Sequence, residues 1–208
     1  MSRAAFLDRD GVINRKARNG EYVTRWEEMH ILPGVAAAIS LLNKAGFRVI
    51  VVSNQRCVAK GLITTADLET MHQRMSDLLA TSGARIDAIY YCPHKAVPAC
   101  GCRKPAPGML LSAARKHHLD LAASWMIGDS DTDVATGKNT GCKTARLLAR
   151  TDGADEEADV TAPSLLEAVH KILRLEGIMV ERGTRTSVLG SCGKRSRKEG
   201  PSAWVRSA

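Results

Sequence analysis

Short apolar runs alternate with longer amphipathic stretches along the 208-residue chain. The apolar runs are rich in Val, Ile and Ala, which is typical of buried strands. The stretches between them carry apolar residues at helical spacing. Strands that alternate with helices form a mostly parallel sheet, so we predict an α/β fold with a single Rossmann-like domain.

The boundaries of each element follow from local signals. The strands are predicted at Ala4–Leu7, Phe47–Val52, Ile86–Tyr91, Ser124–Ile127 and Lys143–Leu148. The helices are predicted at Pro33–Ala45, Thr65–Ser82, Pro107–His118 and Pro163–Leu175. Proline favours the first turn of a helix and glycine its end, so Pro33 and Gly46 bracket the first helix, and Gly83 ends the second.

The chain is basic, and most of the excess lies at one end. Lys and Arg outnumber Asp and Glu by 30 to 22, a formal net charge of +8. Residues 178–208 hold seven Lys and Arg against two Glu and show no apolar period, so we predict a domain over residues 1–177 and a flexible basic tail over 178–208. Apart from Trp204, the tail has no aromatic residues for stacking bases, which disfavours a nucleic-acid-binding module. A small phosphorylated metabolite is the predicted partner instead.

No apolar run approaches the ~20 residues that a membrane-spanning helix needs. Charged residues interrupt any signal-peptide core in the first ten residues, so we expect a cytoplasmic protein. We also expect a monomer. Cysteines stay reduced in that compartment, and clustered ones therefore suggest a metal site.

Polar residues follow the predicted strands at four places: Asp8–Gly11, Ser53–Gln55, Arg103–Pro105 and Gly128–Asp133. In an open α/β sheet, ligands bind beyond the carboxyl ends of the strands. Several carboxylates converging there repel one another unless a hard cation such as Mg²⁺ lies between them. Lys104 and Ser53 would complete a cradle for a phosphoryl group.

This set of groups suits phosphoryl transfer. One aspartate can attack phosphorus and form an aspartyl-phosphate. A second can protonate the leaving oxygen and then deprotonate the attacking water. Mg²⁺ and Lys104 would neutralise the charge on the phosphoryl oxygens.

The segments Phe6–Gly11, Val52–Gln55, Cys102–Pro105 and Met126–Asp129 resemble the four ordered motifs of the haloacid dehalogenase-like (HAD) phosphatases. The resemblance implies that Asp8 is the nucleophile and Asp10 the general acid/base. It also implies that Ser53 and Lys104 hold the phosphoryl group. The implied Mg²⁺ ligands are the side chains of Asp8 and Asp129 and the main-chain carbonyl of Asp10. Two further carboxylates, Asp131 and Asp133, either support this site or only favour the dipole of the helix that they open.

Four soft or borderline ligands lie close together at Cys92, His94, Cys100 and Cys102. A Cys₃His set is a common pattern for structural zinc, and we predict a zinc loop that leads into Arg103 and Lys104. The alternative is three reduced thiols beside a surface histidine.

The intervals between Asp10 and Ser53 and between Ser53 and Lys104 are too short for a large cap domain, so we expect an open site. The predicted substrate contacts are Asn54, Gln55, Arg103, Arg18, Asn19 and Tyr22. The zinc loop with Cys-Arg-Lys-Pro resembles a branch that contains the D-glycero-D-manno-heptose 1,7-bisphosphate 7-phosphatases and the histidinol-phosphate phosphatases. Details such as Tyr22–Val23 favour a heptose bisphosphate, and histidinol phosphate stays the alternative. Arg56–Cys57 departs from the Ser-Gly that is usual in the heptose enzymes.

Overall fold

A parallel β-sheet organises the computed structural model, which describes residues 2–18, 20–96, 100–148, 157–178 and 204–206. The strands are β1 (Ala4–Leu7), β2 (Arg48–Asn54), β3 (Ala88–Cys92), β4 (Trp125–Gly128), β5 (Lys143–Leu147), β6 (Val160–Ala162) and β7 (Trp204–Arg206). They lie in the order β6-β5-β4-β1-β2-β3-β7, and every neighbouring pair is parallel.

Helices cover both faces of this sheet. They are α1 (Val35–Lys44), α2 (Arg56–Ala59), α3 (Thr65–Ala80), α4 (Gly108–His117), α5 (Asp131–Thr140) and α6 (Leu165–Leu175). Side chains alternate along a strand, so Ala5 and Leu7 of β1 join the core under α1, α3 and α6. Ala4 and Phe6 point the other way and join the core under α4. The predicted α/β fold with its parallel sheet is confirmed.

The strand boundaries follow backbone pairing as well as side-chain type. β1 has the predicted bounds, because its apolar run ends at a charged residue, Asp8. β2 continues to Asn54, two residues past the apolar run, since Asn54 still pairs with Cys92 of β3. No strand was predicted at Val160–Ala162, because three residues are too few to show a periodic pattern.

The predicted basic tail is only partly within the described residues. Its residues beyond Ile178, except Trp204–Arg206, lie outside them. The backbone of Trp204–Arg206 forms β7 beside β3, where the sequence predicts no element. The division into a domain and a tail stays a prediction.

Two further observations bear on the architecture. In the part of the chain that the structure describes, only a loop, a 3₁₀ turn at Trp26–Glu28 and α1 separate β1 from β2. Among the described residues, no large cap domain lies between these two strands. No helix among the described residues has the length and apolarity to cross a bilayer.

Candidate active site

The four polar segments converge at the carboxyl ends of β1, β2 and β4. Asp8 follows β1, Ser53 lies near the end of β2, and Asp129 follows β4. They face one cavity of about 350 Å³. Its lining includes Asp8, Asp10, Arg18, Tyr22, Ser53, Asn54, Gln55, Arg103, Lys104 and Asp129. The structure therefore brings together every described residue that was predicted around the phosphoryl group and its substrate walls. Asn19, also predicted there, lies outside the described residues.

Lys104 is the buried cation of this site. Its Nζ donates to Oδ1 of Asp133 at 2.6 Å and to the carbonyl oxygen of Val52 at 2.9 Å, and it lies 2.9 Å from Oδ1 of Asp8. Burial alone would lower the pKa of Lys104, but the charges of Asp8 and Asp133 outweigh it and raise that pKa. Lys104 is therefore a fixed ammonium group between two carboxylates.

Asp133 has a structural task as well as an electrostatic one. Its Oδ2 accepts hydrogen bonds from the backbone N–H and the hydroxyl of Ser130, which closes a capping box at the start of α5. Its Oδ1 accepts from Lys104. Both alternatives that the sequence left open for Asp133 therefore apply, whereas Asp131 pairs with Arg146.

Two neighbours hold the carboxylate of Asp8 in place. The backbone N–H of Arg9 donates to its Oδ1 at 2.7 Å, the same oxygen that faces Lys104. Burial raises the pKa of Asp8 to about 7, although Lys104 acts in the opposite direction. A divalent cation beside this carboxylate would favour its ionised form.

Asp8 and Asp129 fit a hard cation. Oxygens of Asp8, Asp129 and Asp133 lie within 4.8 Å of one another. Both oxygens of Asp133 already accept hydrogen bonds, whereas Oδ1 of Asp129 is buried without a hydrogen-bond partner. A buried carboxylate oxygen of this kind is suited to a metal ligand.

Two neighbours shape the surroundings of Asp129. Gly11 has a φ of +93°, and a Cβ atom there would lie 2.2 Å from Oδ2 of Asp129, so only glycine fits. Lys16 donates to that same Oδ2 at 2.8 Å. Lys16 lies two residues before Arg18, a predicted substrate contact, but the pairing of Lys16 with Asp129 was not predicted.

Asp10 accepts hydrogen bonds from three side chains. The Nη2 atom of Arg9 lies 3.0 Å from Oδ1 and 2.9 Å from Oδ2, Nδ2 of Asn14 lies 2.9 Å from Oδ1, and Nε2 of Gln55 lies 3.0 Å from Oδ2. Burial would raise the pKa of Asp10, but the charge of Arg9 and the bond from Asn14 outweigh it, so the pKa is lowered. Asp10 is thus an ionised and firmly oriented carboxylate.

The contacts of Arg9 and Asn14 with Asp10 were not predicted from the sequence. A signal existed for Arg9, because strand alternation places it on the opposite side from Asp8 and Asp10, toward the interior. Asn14 follows the motif in a loop, and nothing in its neighbours indicates its contact.

Asn54 and Gln55 line the cavity, but their amides bind the protein. Nδ2 of Asn54 donates to the carbonyl oxygen of Lys104 at 3.1 Å, and its Oδ1 accepts from the N–H of Lys104 at 3.0 Å. Nε2 of Gln55 reaches Oγ of Ser53 at 2.8 Å as well as Asp10. Their predicted substrate contacts stay predictions. In this geometry Asn54 holds the backbone of Lys104, and Gln55 holds the side chains of Ser53 and Asp10.

The outer wall of the cavity is basic and aromatic. Arg103, Arg18 and Tyr22 all line it, and the ammonium group of Lys60 lies 4.8 Å from the centre of the Tyr22 ring. A second cavity of about 680 Å³ adjoins this wall and shares Lys16, Arg18 and Tyr22 with it. The site is therefore wide enough for a polar substrate that extends away from Asp8.

The four predicted zinc ligands lie together in the structure. Sγ of Cys92 lies 3.6 Å from Sγ of Cys100, Sγ of Cys100 lies 3.5 Å from Sγ of Cys102, and Nδ1 of His94 lies 3.2 Å from Sγ of Cys102. Ligands about 2.3 Å from a tetrahedral zinc ion lie at similar distances from one another. The donor set thus fits zinc, and Cys102 lies two residues before Lys104.

The fold and this site define a HAD-like hydrolase. Residues 101–171 match a family model described as HAD-hydrolase-like. The crystal structure of D,D-heptose 1,7-bisphosphate phosphatase from B. bronchiseptica, complexed with magnesium and phosphate, is similar with a TM-score of 0.75 and 33% sequence identity. The alignment covers 83% of this chain and 99% of that one.

Curated relatives carry the comparison further. The chain is 45% identical over 145 residues to the D-glycero-β-D-manno-heptose-1,7-bisphosphate 7-phosphatase of Rhodopseudomonas palustris, with 66% of this chain and 79% of the relative covered. It is 43% identical over 157 residues to the enzyme of that name from Escherichia coli, with 71% and 79% covered. The chain therefore belongs to the HAD-like family of heptose-1,7-bisphosphate 7-phosphatases.

Proposed function

We propose that the protein is a Mg²⁺-dependent phosphatase that removes the 7-phosphate of D-glycero-D-manno-heptose 1,7-bisphosphate and leaves the 1-phosphate. The observation that carries this proposal is the arrangement of Lys104 and Asp129 around Asp8. Lys104 contacts Asp8 at 2.9 Å, and a buried oxygen of Asp129 has no hydrogen-bond partner. A carboxylate nucleophile, a fixed cation and a free metal ligand are the parts that phosphoryl transfer needs.

Asp8 performs the first chemical step. Its oxygen attacks phosphorus, a bond forms between them, and the bond from phosphorus to the sugar oxygen breaks. Asp10 gives its proton to the leaving sugar oxygen, and the negative substrate beside it favours that protonated form beforehand. Lys104 and Ser53 face the phosphoryl oxygens in both steps. Gln55 fixes the side chains of Ser53 and Asp10 relative to each other, because its Nε2 atom donates to both.

Asp10 acts as the base in the second step. It takes a proton from water, the water oxygen bonds to phosphorus, and the bond from phosphorus to Asp8 breaks. Mg²⁺ held by the side chains of Asp8 and Asp129 and the carbonyl of Asp10 would offset the phosphate charge in both steps. Asp10 returns to its protonated form and phosphate leaves.

A structural zinc ion held by Cys92, His94, Cys100 and Cys102 is part of the proposal. Four protein ligands fill a tetrahedral shell and leave no position for substrate. The ion would fix the loop that carries Arg103 and Lys104 into the cavity.

The heptose bisphosphate is the proposed substrate, and the names of the relatives support it over histidinol phosphate. The departure at Arg56–Cys57 does not weigh against it. Cys57 is buried, and its thiol donates to Oε1 of Gln55 at 3.4 Å. Neither Arg56 nor Cys57 lines the cavity. A small phosphorylated sugar is the proposed partner, as the names of the relatives suggest. The monomeric state and the cytoplasmic location expected above remain proposals.

Turnover of three phosphate monoesters tests the proposal. Heptose 1,7-bisphosphate, histidinol phosphate and a 3′-phosphorylated oligonucleotide are compared at equal concentration with Mg²⁺. We expect the heptose bisphosphate to give the highest kcat/KM, with the 1-phosphate as the product seen by ³¹P NMR. A higher value for either other substrate would reject the assignment.

A further inference from the structure

A buried arginine and a buried histidine lie behind the carboxylate of Asp10. The Arg9 side chain is 1% exposed and His72 is 0% exposed. Nη2 of Arg9 donates to both oxygens of Asp10, and Nη1 of the same guanidinium lies 3.1 Å from Nε2 of His72. Asp10, Arg9 and His72 thus form one continuous chain of contacts from the cavity into the core.

The direction of the contact between Arg9 and His72 follows from the donors available. A guanidinium group has only N–H donors, so Nε2 of His72 must accept the hydrogen bond with its lone pair. His72 is therefore a neutral imidazole with its proton on Nδ1. Burial and then the charge of Arg9 lower the pKa of His72 well below its ordinary value, which agrees with this tautomer.

The imidazole ring packs against an aromatic ring that is itself anchored by a hydrogen bond. His72 lies in α3, and its ring centre is 5.7 Å from that of Tyr91 on β3, with the planes at 60°. The Tyr91 hydroxyl donates to Oε1 of Glu69, one turn before His72 in α3, at 2.6 Å. The ring cannot rotate freely, so the acceptor it offers to Arg9 has a defined direction.

We propose that His72 is a positioning residue for the general acid/base: by accepting from Nη1, it fixes the plane of the Arg9 guanidinium, and that plane fixes the direction of the Asp10 carboxylate. Nε and Nη2 of Arg9 bind the Asp10 carboxylate on one side of the guanidinium, and the contact of Nη1 with His72 anchors the other side. With Nη1 anchored, the side of Asp10 away from Arg9 points into the cavity. This inference rests on the proposed function of Asp10.

Two variants of His72 separate the hydrogen bond from the filling of space. His72→Leu fills the space of the imidazole with an apolar side chain of similar size and removes the hydrogen-bond acceptor. His72→Gln keeps an acceptor oxygen that can face Arg9. We expect His72→Leu to lower kcat on the heptose bisphosphate by about 100-fold with KM little changed, as a misplaced catalytic group does. We expect His72→Gln to recover most of that loss, and His170→Leu, at an exposed histidine, to have no effect.

A second substrate distinguishes positioning from general damage to the fold. An aryl phosphate such as p-nitrophenyl phosphate has a leaving group that departs without a proton, so its release depends less on the acid. His72→Leu should therefore lose much less activity on the aryl ester than on the sugar phosphate. Equal losses on both, or no loss with either, would overturn the proposal.

A direct measurement on the ring tests its basis without turnover. Long-range ¹H–¹⁵N NMR of the wild-type protein should show His72 as the Nδ1–H tautomer at neutral pH. An Nε2–H tautomer or a charged ring would overturn the proposal, whichever phosphate ester the enzyme hydrolyses. If the wild type shows the expected tautomer and yet does not hydrolyse the heptose bisphosphate, that result rejects the proposed substrate, while the positioning of Asp10 by His72 stands.

Discussion

The ammonium nitrogen of Lys104 lies 2.6 Å from Oδ1 of Asp133, and neither side chain is more than 2% exposed. The same nitrogen lies 2.9 Å from Asp8. One buried cation therefore contacts both Asp8, the proposed nucleophile, and the carboxylate that caps α5. The proposed chemistry and the fold thus depend on the same ammonium group.

Replacing Lys104 should damage activity and stability together. Lys104→Met leaves two carboxylates without their partner, and breaking a buried ion pair in this way costs about 3–5 kcal/mol in the free energy of unfolding. Phosphate release should fall below detection. Urea unfolding and a phosphate assay check both effects. Lys138→Met, which removes an exposed partner of Glu157, should cost less than about 1 kcal/mol. Lys104→Met with wild-type stability would contradict the account.

Lys16 should compete with the metal for Asp129. Its ammonium group lies 2.8 Å from the Oδ2 atom of Asp129, and its side chain is 58% exposed. An exposed ion pair is worth up to about 1 kcal/mol, so Lys16→Met should tighten Mg²⁺ binding by roughly fivefold. Isothermal titration calorimetry measures this affinity directly. The exposed Lys44 in α1 provides the control, since Lys44→Met should leave the affinity unchanged. Weaker binding by Lys16→Met would show that Lys16 does not oppose the metal.

The buried His72 should make stability depend on pH. In the unfolded chain this residue takes up a proton near its ordinary pKa of 6.5, whereas in the fold burial and Arg9 hold its pKa well below that value. Below pH 6.5 the unfolded state therefore binds more protons, and the free energy of unfolding falls as the pH falls. The stabilisation that depends on neutral His72 is fully present above pH 6.5. Below that pH, His72 lowers the free energy of unfolding by at most about 1.4 kcal/mol per pH unit.

Urea unfolding between about pH 7.5 and about pH 5 tests this linkage to His72. The free energy of unfolding of His72→Gln should change less steeply with pH than that of the wild type, because glutamine does not titrate. His117, whose pKa burial also lowers, remains in both proteins and contributes equally. Identical slopes would place the titrating group elsewhere.

Zinc binding should depend on the Cys₃His set. Cys100→Ser should abolish bound zinc, measured by inductively coupled plasma mass spectrometry, and lower the midpoint of thermal unfolding. Cys142→Ser, at a buried cysteine outside the set, should retain the metal. Full zinc content in Cys100→Ser would refute the predicted site.

The parts of the site that are local in sequence could be predicted. The aspartate pair, Lys104 and the zinc ligands each lie within short segments whose residue types and spacing suit one chemistry. The strand ends could be predicted too, because an apolar run followed by Asp8 or Asp129 marks where a buried strand meets solvent. Parallel pairing then brings those ends together.

Contacts between distant segments could not be predicted in the same way. His72 lies mid-helix with apolar neighbours at helical spacing, and only the packing of α3 against β3 places it on Arg9. Asn54 and Gln55 line the cavity, but an amide side chain can bind either substrate or protein groups. The position of the Lys104 loop decides between the two, and that is a tertiary property.

The covalent role of Asp8 is the central claim, and rapid acid quenching during turnover tests it most directly. Wild-type protein mixed with Mg²⁺ and heptose 1,7-bisphosphate should carry one phosphoryl group on the peptide that contains Asp8, found by mass spectrometry. Asp8→Asn should carry none and release no phosphate. Phosphate release by Asp8→Asn at the wild-type rate, or a phosphoryl group on another residue, would contradict the mechanism.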